Sequence, residues 1–379
     1  MSSQPRLPAR KLAPLALVIA TLALPGCIDR NPVEDETDPG SGDGGGGDTG
    51  GGGDTGGGGE TPAACSRLPT AITQYKGGDT LGEELTLTLD PTTLAYSVSI
   101  DASLQRASST VSGTLVQLDG CSYSSDEAGA VFTLGDGGVV LGGLRDVDAS
   151  RFVPMLAFSS WFENSATPTV FNDVAAIYNA IGTRIIDGVG NAYSGSSGRI
   201  RNAGTFQLCT DVATNGFVTY DASCAQTAKG YLSYNNERQI FDVYTTPASG
   251  GAVTTGGTLS GSMVIARVGD VVVPMQMLRE SASVYGLRLF TAQSALTSGD
   301  ADGDYAAADT ASANGSATWL AASLSRNGVG ATLSYEVPVA GVVQADGGYS
   351  GNLLYAAGLY GYVTGAASSA SAFELGLRD

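Results

Sequence analysis

The chain has no histidine among its 379 residues, and its lysines are confined to Lys11, Lys76 and Lys229. Without imidazole there is no His-based triad, no side chain that ordinarily titrates near neutral pH, and none of the commonest zinc or copper ligand. Aromatic residues make up 7 % and charged residues 15 %. No apolar run reaches the roughly 20 residues that a membrane-spanning helix needs. Neither a Gly-x-Ser-x-Gly elbow nor a phosphate-cradling glycine loop occurs, so serine-hydrolase and nucleotide-binding chemistry lack their signatures. Basic groups are scarce as well: 19 Lys and Arg against 37 Asp and Glu give a net charge of −18. Such a surface repels nucleic acid and anionic head groups, so no nucleic-acid partner is expected.

What is present is glycine, at 54 residues, and enough apolar content, 42 %, for a real core. With abundant Ser, Thr and Ala this composition favours turns and strands, so the expected class is mainly β with few short helices.

The first residues have three parts. Arg6, Arg10 and Lys11 form a basic start, Leu12 to Leu24 an apolar stretch, and Pro25-Gly26-Cys27 a small-residue ending. The apolar stretch is too short to span a bilayer, which suits a removable leader. The segment resembles bacterial lipoprotein signal peptides, whose lipobox closes on a cysteine. That resemblance implies loss of residues 1–26, with Cys27 becoming the acylated first residue. Ile28 after it resembles lipoproteins sent to the outer membrane of Gram-negative bacteria. At about 0.8 kcal/mol per buried methylene, two or three acyl chains hold a protein on a membrane without protein insertion. Losing the leader removes three basic and no acidic groups, leaving 16 against 37 and a charge of −21. In plan the chain is similar to proteobacterial lipoproteins that join a lipobox, a Gly/Asp linker and a β-rich domain.

Residues 27–62 read as a tether. Its centre repeats four glycines followed by Asp48-Thr49, Asp54-Thr55 and Glu60-Thr61. It holds too little apolar surface to offset its ordering entropy, and about 30 such residues span on the order of 30 Å.

Beyond Cys27 stand Cys65, Cys121, Cys209 and Cys224. An even count in an exported chain suggests two disulfides, with three connectivities open. Pairing Cys65 with Cys121 and Cys209 with Cys224 keeps each bond within one segment. The second would close a loop worth about 3 kcal/mol in the chain-entropy treatment.

Downstream the apolar pattern turns to period two. Leu85, Leu87 and Leu89, then Asp90-Pro91-Thr92-Thr93, then Tyr96, Val98 and Ile100 predict a hairpin with one buried face. Ala130 to Leu134 and Val139 to Leu141 flank Gly135-Asp136-Gly137-Gly138 as another. Three echoes suggest repetition: Arg151 to Leu156 with Val271 to Gln276, the Tyr-centred Ala176 to Asn179 with Gly303 to Ala306, and Leu141 to Asp146 with Glu374 to Asp379. They divide the folded part into a β-rich unit at 63–160 and a region at 161–379, itself separable into 161–290 and 291–379, each an antiparallel meander of barrel or sandwich type. Val174 to Ile181, capped by Asn172 and stopped by Gly182, is a helix candidate, and Ser316 to Leu324 is a second.

Three groups of side chains are candidates for chemistry. Asp300, Asp302 and Asp304 have the opening spacing of a calcium loop, but Tyr305 and Ala311 occupy positions where such a loop needs glycine and glutamate. Tyr349, Tyr355, Tyr360 and Tyr362 suit either a ligand face or sheet packing. Glu83-Glu84 and Asp126-Glu127 are adjacent carboxylates, which on a strand point to opposite faces. None of these assigns a catalytic, cofactor or metal residue. The expectation is a lipid-anchored cell-envelope protein, attached through Cys27, whose β-rich part binds an unknown protein or small-molecule partner. A lipocalin-like carrier of an apolar ligand and a carboxylate-based hydrolase are the alternatives.

Overall fold

The computed structural model describes residues 64–145, 152–163, 170–187, 190–209, 216–221, 224, 226–246, 255–309, 315–364 and 373–379. The leader, Cys27, the tether, Asp146 and Arg151 lie outside the described residues. The fold is mainly β, in three successive antiparallel meanders.

The first meander comprises β1 (Thr73–Asp79), β2 (Glu84–Leu89), β3 (Ala95–Ala102), β4 (Thr110–Thr114), β5 (Val116–Asp119), β6 (Ser122–Ser124), β7 (Val131–Gly135), β8 (Val139–Arg145) and β9 (Phe152–Phe158). Strand β1 pairs with both β2 and β9, and the sheet order ends at β4 and β5. Those two are one bent strand interrupted at Leu115, pairing with β3 along one half and with β6 along the other, so the sheet is nearly closed. The second meander is a closed barrel of β10 (Ala176–Ile186), β11 (Gly190–Ile200), β12 (Thr205–Cys209), β13 (Gln226–Asn235), β14 (Ile240–Thr246), β15 (Thr258–Val268), β16 (Val271–Ser281) and β17 (Val284–Ala292). The third is likewise closed: β18 (Gly303–Asp309), β19 (Gly315–Leu320), β20 (Ser323–Arg326), β21 (Val329–Tyr335), β22 (Val342–Gly347), β23 (Gly351–Ala356), β24 (Leu359–Thr364) and β25 (Phe373–Arg378).

Local sequence explains the hairpins. In β2 and β3 the cross-strand pairs Leu85 with Ile100, Leu87 with Val98 and Leu89 with Tyr96 all point inward. The intervening Asp90 accepts from the Thr92 amide at 2.9 Å and the Thr93 hydroxyl at 2.8 Å, the side-chain turn that lets the strand reverse. Each barrel is filled by its own apolar cluster, including Phe132 in the first, Phe241 in the second and Trp319 in the third.

A fourth cluster joins the barrels. Leu141 and Leu156 of the first, Met275 and Leu289 of the second, and Leu359 and Leu375 of the third belong to one buried group. Strands β8, β9, β16, β17, β24 and β25 are therefore covered on both faces, one by their own barrel and one by a neighbour. Two-sided burial calls for continuous apolar runs rather than alternation, as in Phe152–Phe158, where every residue is buried.

This arrangement corrects several expectations. The residues from Val174 to Ile181 are not a helix: a short helix, Val170–Val174, ends where one was expected to start, and Ala176–Ile186 is β10. The apparent helical spacing arises because Tyr178 and Ala180 enter the barrel while Ile181 enters the shared core. Gly182 sits within that strand instead of stopping a helix. Ser316 to Leu324 is not a helix either but the hairpin of β19 and β20, with Ala317, Trp319 and Leu324 inward. Of the three echoes, Tyr178 and Tyr305 do hold equivalent places as third residues of the first strands of their barrels. Their hydroxyls donate to carbonyls four residues back, Val174 at 2.6 Å and Ala301 at 2.5 Å. The Val-Pro-Met echo joins β9, the strand that closes the first sheet onto β1, with the next-to-last strand of the second barrel. The Leu-Arg echo joins β8 with the last strand of the third. These two reflect burial on both faces.

Candidate functional site

Glu83 ends the turn from β1 to β2, Glu84 opens β2, and both are fully buried. Being adjacent, they point opposite ways. Glu83 turns back into the first meander, where Arg106 Nε lies 3.0 Å from both of its oxygens and Ser103 donates at 2.6 Å. Asp79, 2 % exposed, lies in the same group: its Oδ1 accepts from the amides of Leu81 at 3.0 Å and Glu83 at 3.1 Å, and its Oδ2 is 3.3 Å from Arg106. Burial pushes the Asp79 carboxyl well above the usual range, and the Glu83 charge adds to this against the opposing pull of Arg106. Burial also works to raise Glu83, but hydrogen bonds from Arg106, Asp79 and Ser103 outweigh it and hold that pKa below its ordinary value. The shared site thus pushes the two carboxyls apart, Asp79 toward the protonated form and Glu83 toward the carboxylate.

Glu84 turns toward the second barrel. It pairs with Arg238 and lies 3.3 Å from the Ser262 hydroxyl and 3.6 Å from Arg279. Arg238 also pairs with Asp242, and Arg279 donates to Ser262 at 2.9 Å and to the Gly82 carbonyl at 3.0 Å. Burial raises the Glu84 pKa, and the two arginines oppose that rise. The turn must lie flat against β16: Gly82 has φ +74°, and a Cβ there would stand 2.1 Å from the Leu278 carbonyl oxygen. Leu81 completes the joint by packing with Tyr285. Glu84 thus fastens one barrel to the next while Asp79 and Glu83 brace the turn from within the first, and none of the three has a face open to a substrate.

A second joint links the middle and third barrels. Asn179, fully buried on β10, donates to the Ala340 carbonyl at 2.7 Å and accepts from Ser197 at 3.0 Å and Gln293 at 2.9 Å.

The tyrosines named from sequence lie within the third barrel. Tyr360 and Tyr362 are buried in its core, with Tyr349 and Tyr355 packed against it. The Tyr360 hydroxyl donates to Glu374 at 2.7 Å, and Glu374 and Asp309 both pair with Arg326. The aspartate triplet is spent on turns: Asp300 accepts from the Thr297 amide at 2.8 Å, Asp302 from the Ala321 amide at 2.6 Å and Asp304 from the Thr318 hydroxyl at 2.7 Å. Glu127 accepts from Ser125 beside β4, remote from Glu83 and Glu84 in contacts. Among the described residues no cluster of ligating side chains that could hold a metal occurs.

Cys65 bonds to Cys121 with Cα atoms 4.8 Å apart, and Cys209 to Cys224 at 5.9 Å. The first bond pins the start of the described chain to the turn between β5 and β6. The middle barrel keeps a narrow apolar cleft among Tyr178, Ile200, Phe206, Leu208, Met263 and Phe290. Sequence reasoning missed the partners of the buried acids, Arg106, Arg238 and Arg279, and the polar residue Asn179. No local signal marks them; a recurring Gly-Leu-Arg at 143–145, 286–288 and 376–378 points to Arg145, Arg288 and Arg378 instead. Among the described residues no helix is long and apolar enough to cross a membrane. Comparison with protein-family models and with curated proteins finds no match.

Proposed function

We propose that this is a lipid-anchored protein of the bacterial cell envelope, held in the outer membrane by acyl chains on Cys27, whose three-barrel body is a binding module for a protein or small-molecule partner. The observation that carries the anchor is the ordered sequence of basic start, short apolar stretch and Gly26-Cys27. The body suits such use. Load arriving along the tether enters at Cys65 and passes by the disulfide directly into the first meander. The joints at Glu84 and Asn179 and the shared core resist separation of the barrels. The acidic candidates for a hydrolase, Glu83 and Glu84, are engaged by arginines in the interior, which favours binding over catalysis.

Metabolic labelling with an alkynyl palmitate analogue tests the anchor. Label is expected on the wild-type chain and not on Cys27→Ala, and equal labelling of both would refute it. The carrier reading draws on the apolar cleft of the middle barrel.

A further inference from the structure

Arg288 points into the middle barrel. Along β17, Leu287 and Leu289 enter the shared core and Phe290 enters the barrel's own, which places Arg288 on the inner face. It sits across from Gln276 of β16 and Gly182 of β10, and its Nη1 donates to Gln276 Oε1 at 3.3 Å. Among the described residues no carboxylate lies within ion-pair distance of it. The Glu280 carboxylate near it is bound to Arg184 at 2.7 Å, leaving two guanidiniums to one acid.

The third barrel shows what a compensated interior looks like. There Arg326 meets both Glu374 and Asp309, and Arg378 lies over the Tyr305 and Tyr355 rings at 5.7 and 5.5 Å. Burial draws the Arg288 pKa down to about 10, so it stays charged at neutral pH. Arg288 is half-buried, so beyond the one amide oxygen its charge is left to solvent or to a ligand that reaches it. Among the described residues beside it, Gly182 stands opposite, and Ser196, across from Ala180 on β11, has a buried hydroxyl with no hydrogen-bond partner. Gln276 also lines the apolar cleft, so the cationic and apolar surfaces adjoin.

We propose that the middle barrel binds a monocarboxylate with an apolar tail, its carboxylate held by Arg288 and the Gln276 amide and its tail lying in the cleft among Tyr178, Phe206, Met263 and Phe290. The cleft encloses about 290 Å³ of non-atom space including its open side. Free room without side-chain movement is close to that of one water, so the tail enters as the flexible Met263 gives way. This rests on the binding-module reading and names its ligand class; it does not depend on the anchor.

The test uses the mature chain, residues 27–379 with Cys27→Ser, titrated calorimetrically with octanoate, octanol and acetate at neutral pH. Octanoate should bind at least about tenfold tighter than octanol, because a guanidinium–carboxylate contact is charge-assisted. Octanoate should also exceed acetate. Arg288→Met should remove the preference over octanol, and Arg288→Lys should retain part of it. Equal binding of octanoate and octanol by the wild type, no octanoate binding, no advantage over acetate, or a preference that survives Arg288→Met would overturn the proposal. The wild-type ratio decides even if Arg288→Met does not fold. Failure here leaves capture of a surface partner by the same mature chain as a separate readout of the binding-module reading.

Discussion

Replacing Glu84 with alanine probes the joint between the first two barrels. The carboxylate is fully buried between Arg238 and Arg279, whose side chains are 23 % and 9 % exposed. Truncation strands the more buried guanidinium, which keeps only the Gly82 carbonyl and Ser262 as hydrogen-bond partners. Removing one member of a buried ion pair costs about 3–5 kcal/mol, and because Arg238 retains Asp242 the loss should fall toward about 3. Replacing Glu84 and its more buried partner together, Glu84→Leu with Arg279→Leu, should be far less harmful than the single change, since Arg238 keeps Asp242 and no charge is then left unpaired. Urea unfolding followed by tryptophan fluorescence reads the effect, with Trp161 beside the second barrel at Ala266 and Trp319 inside the third as reporters. A Glu84→Ala loss below about 0.5 kcal/mol, or a double variant as unstable as the single one, would refute the reasoning.

Three further outcomes follow from the same geometry. Asp79 has a folded pKa above its unfolded value, so its stabilising contribution is complete below about pH 3.9 and is lost as pH rises through the raised folded value; Asp79→Asn should flatten that decline in urea midpoints from acid to mildly alkaline pH. Cys65→Ser with Cys121→Ser opens a loop spanning 56 residues and should lower stability by up to about 4 kcal/mol, seen as a lower unfolding midpoint in non-reducing buffer. At Gly376 a Cβ would fall 1.9 Å from the Tyr360 ring, so Gly376→Ala should destabilise the third barrel by about 1–3 kcal/mol, and hydrogen exchange should speed up in β24 and β25 first.

The β class and the hairpin from Leu85 to Ile100 were readable because each has one wet and one dry face, so the alternation of Leu with Thr and of Val with Ser carries the answer. The pattern misled where strands are dry on both faces. Tyr178, Ala180 and Ile181 serve two different cores from one strand, and at that spacing a two-sided strand imitates one face of a helix. The same two-sidedness made β9 and β16 look like a repeat although they hold different places in their sheets. Glu83 and Glu84 were visible as a pair, and their opposite directions followed from strand geometry. Their partners were not visible, because Arg106 is 23 residues from Glu83 and Arg238 is 154 from Glu84, and nothing local marks such closures. Arg288 was hidden for a related reason: its inward direction depends on Leu287 and Leu289 being covered by other barrels, which only the assembled fold supplies.

Intact-mass spectrometry of the protein extracted from cell envelopes tests the lipid-anchored reading most directly. The account predicts a polypeptide beginning at Cys27, heavier than residues 27–379 by the mass of two or three acyl chains and a glyceryl group, with the excess confined to the first residue on fragmentation. A chain that begins elsewhere, or one starting at Cys27 with no added mass, would contradict it.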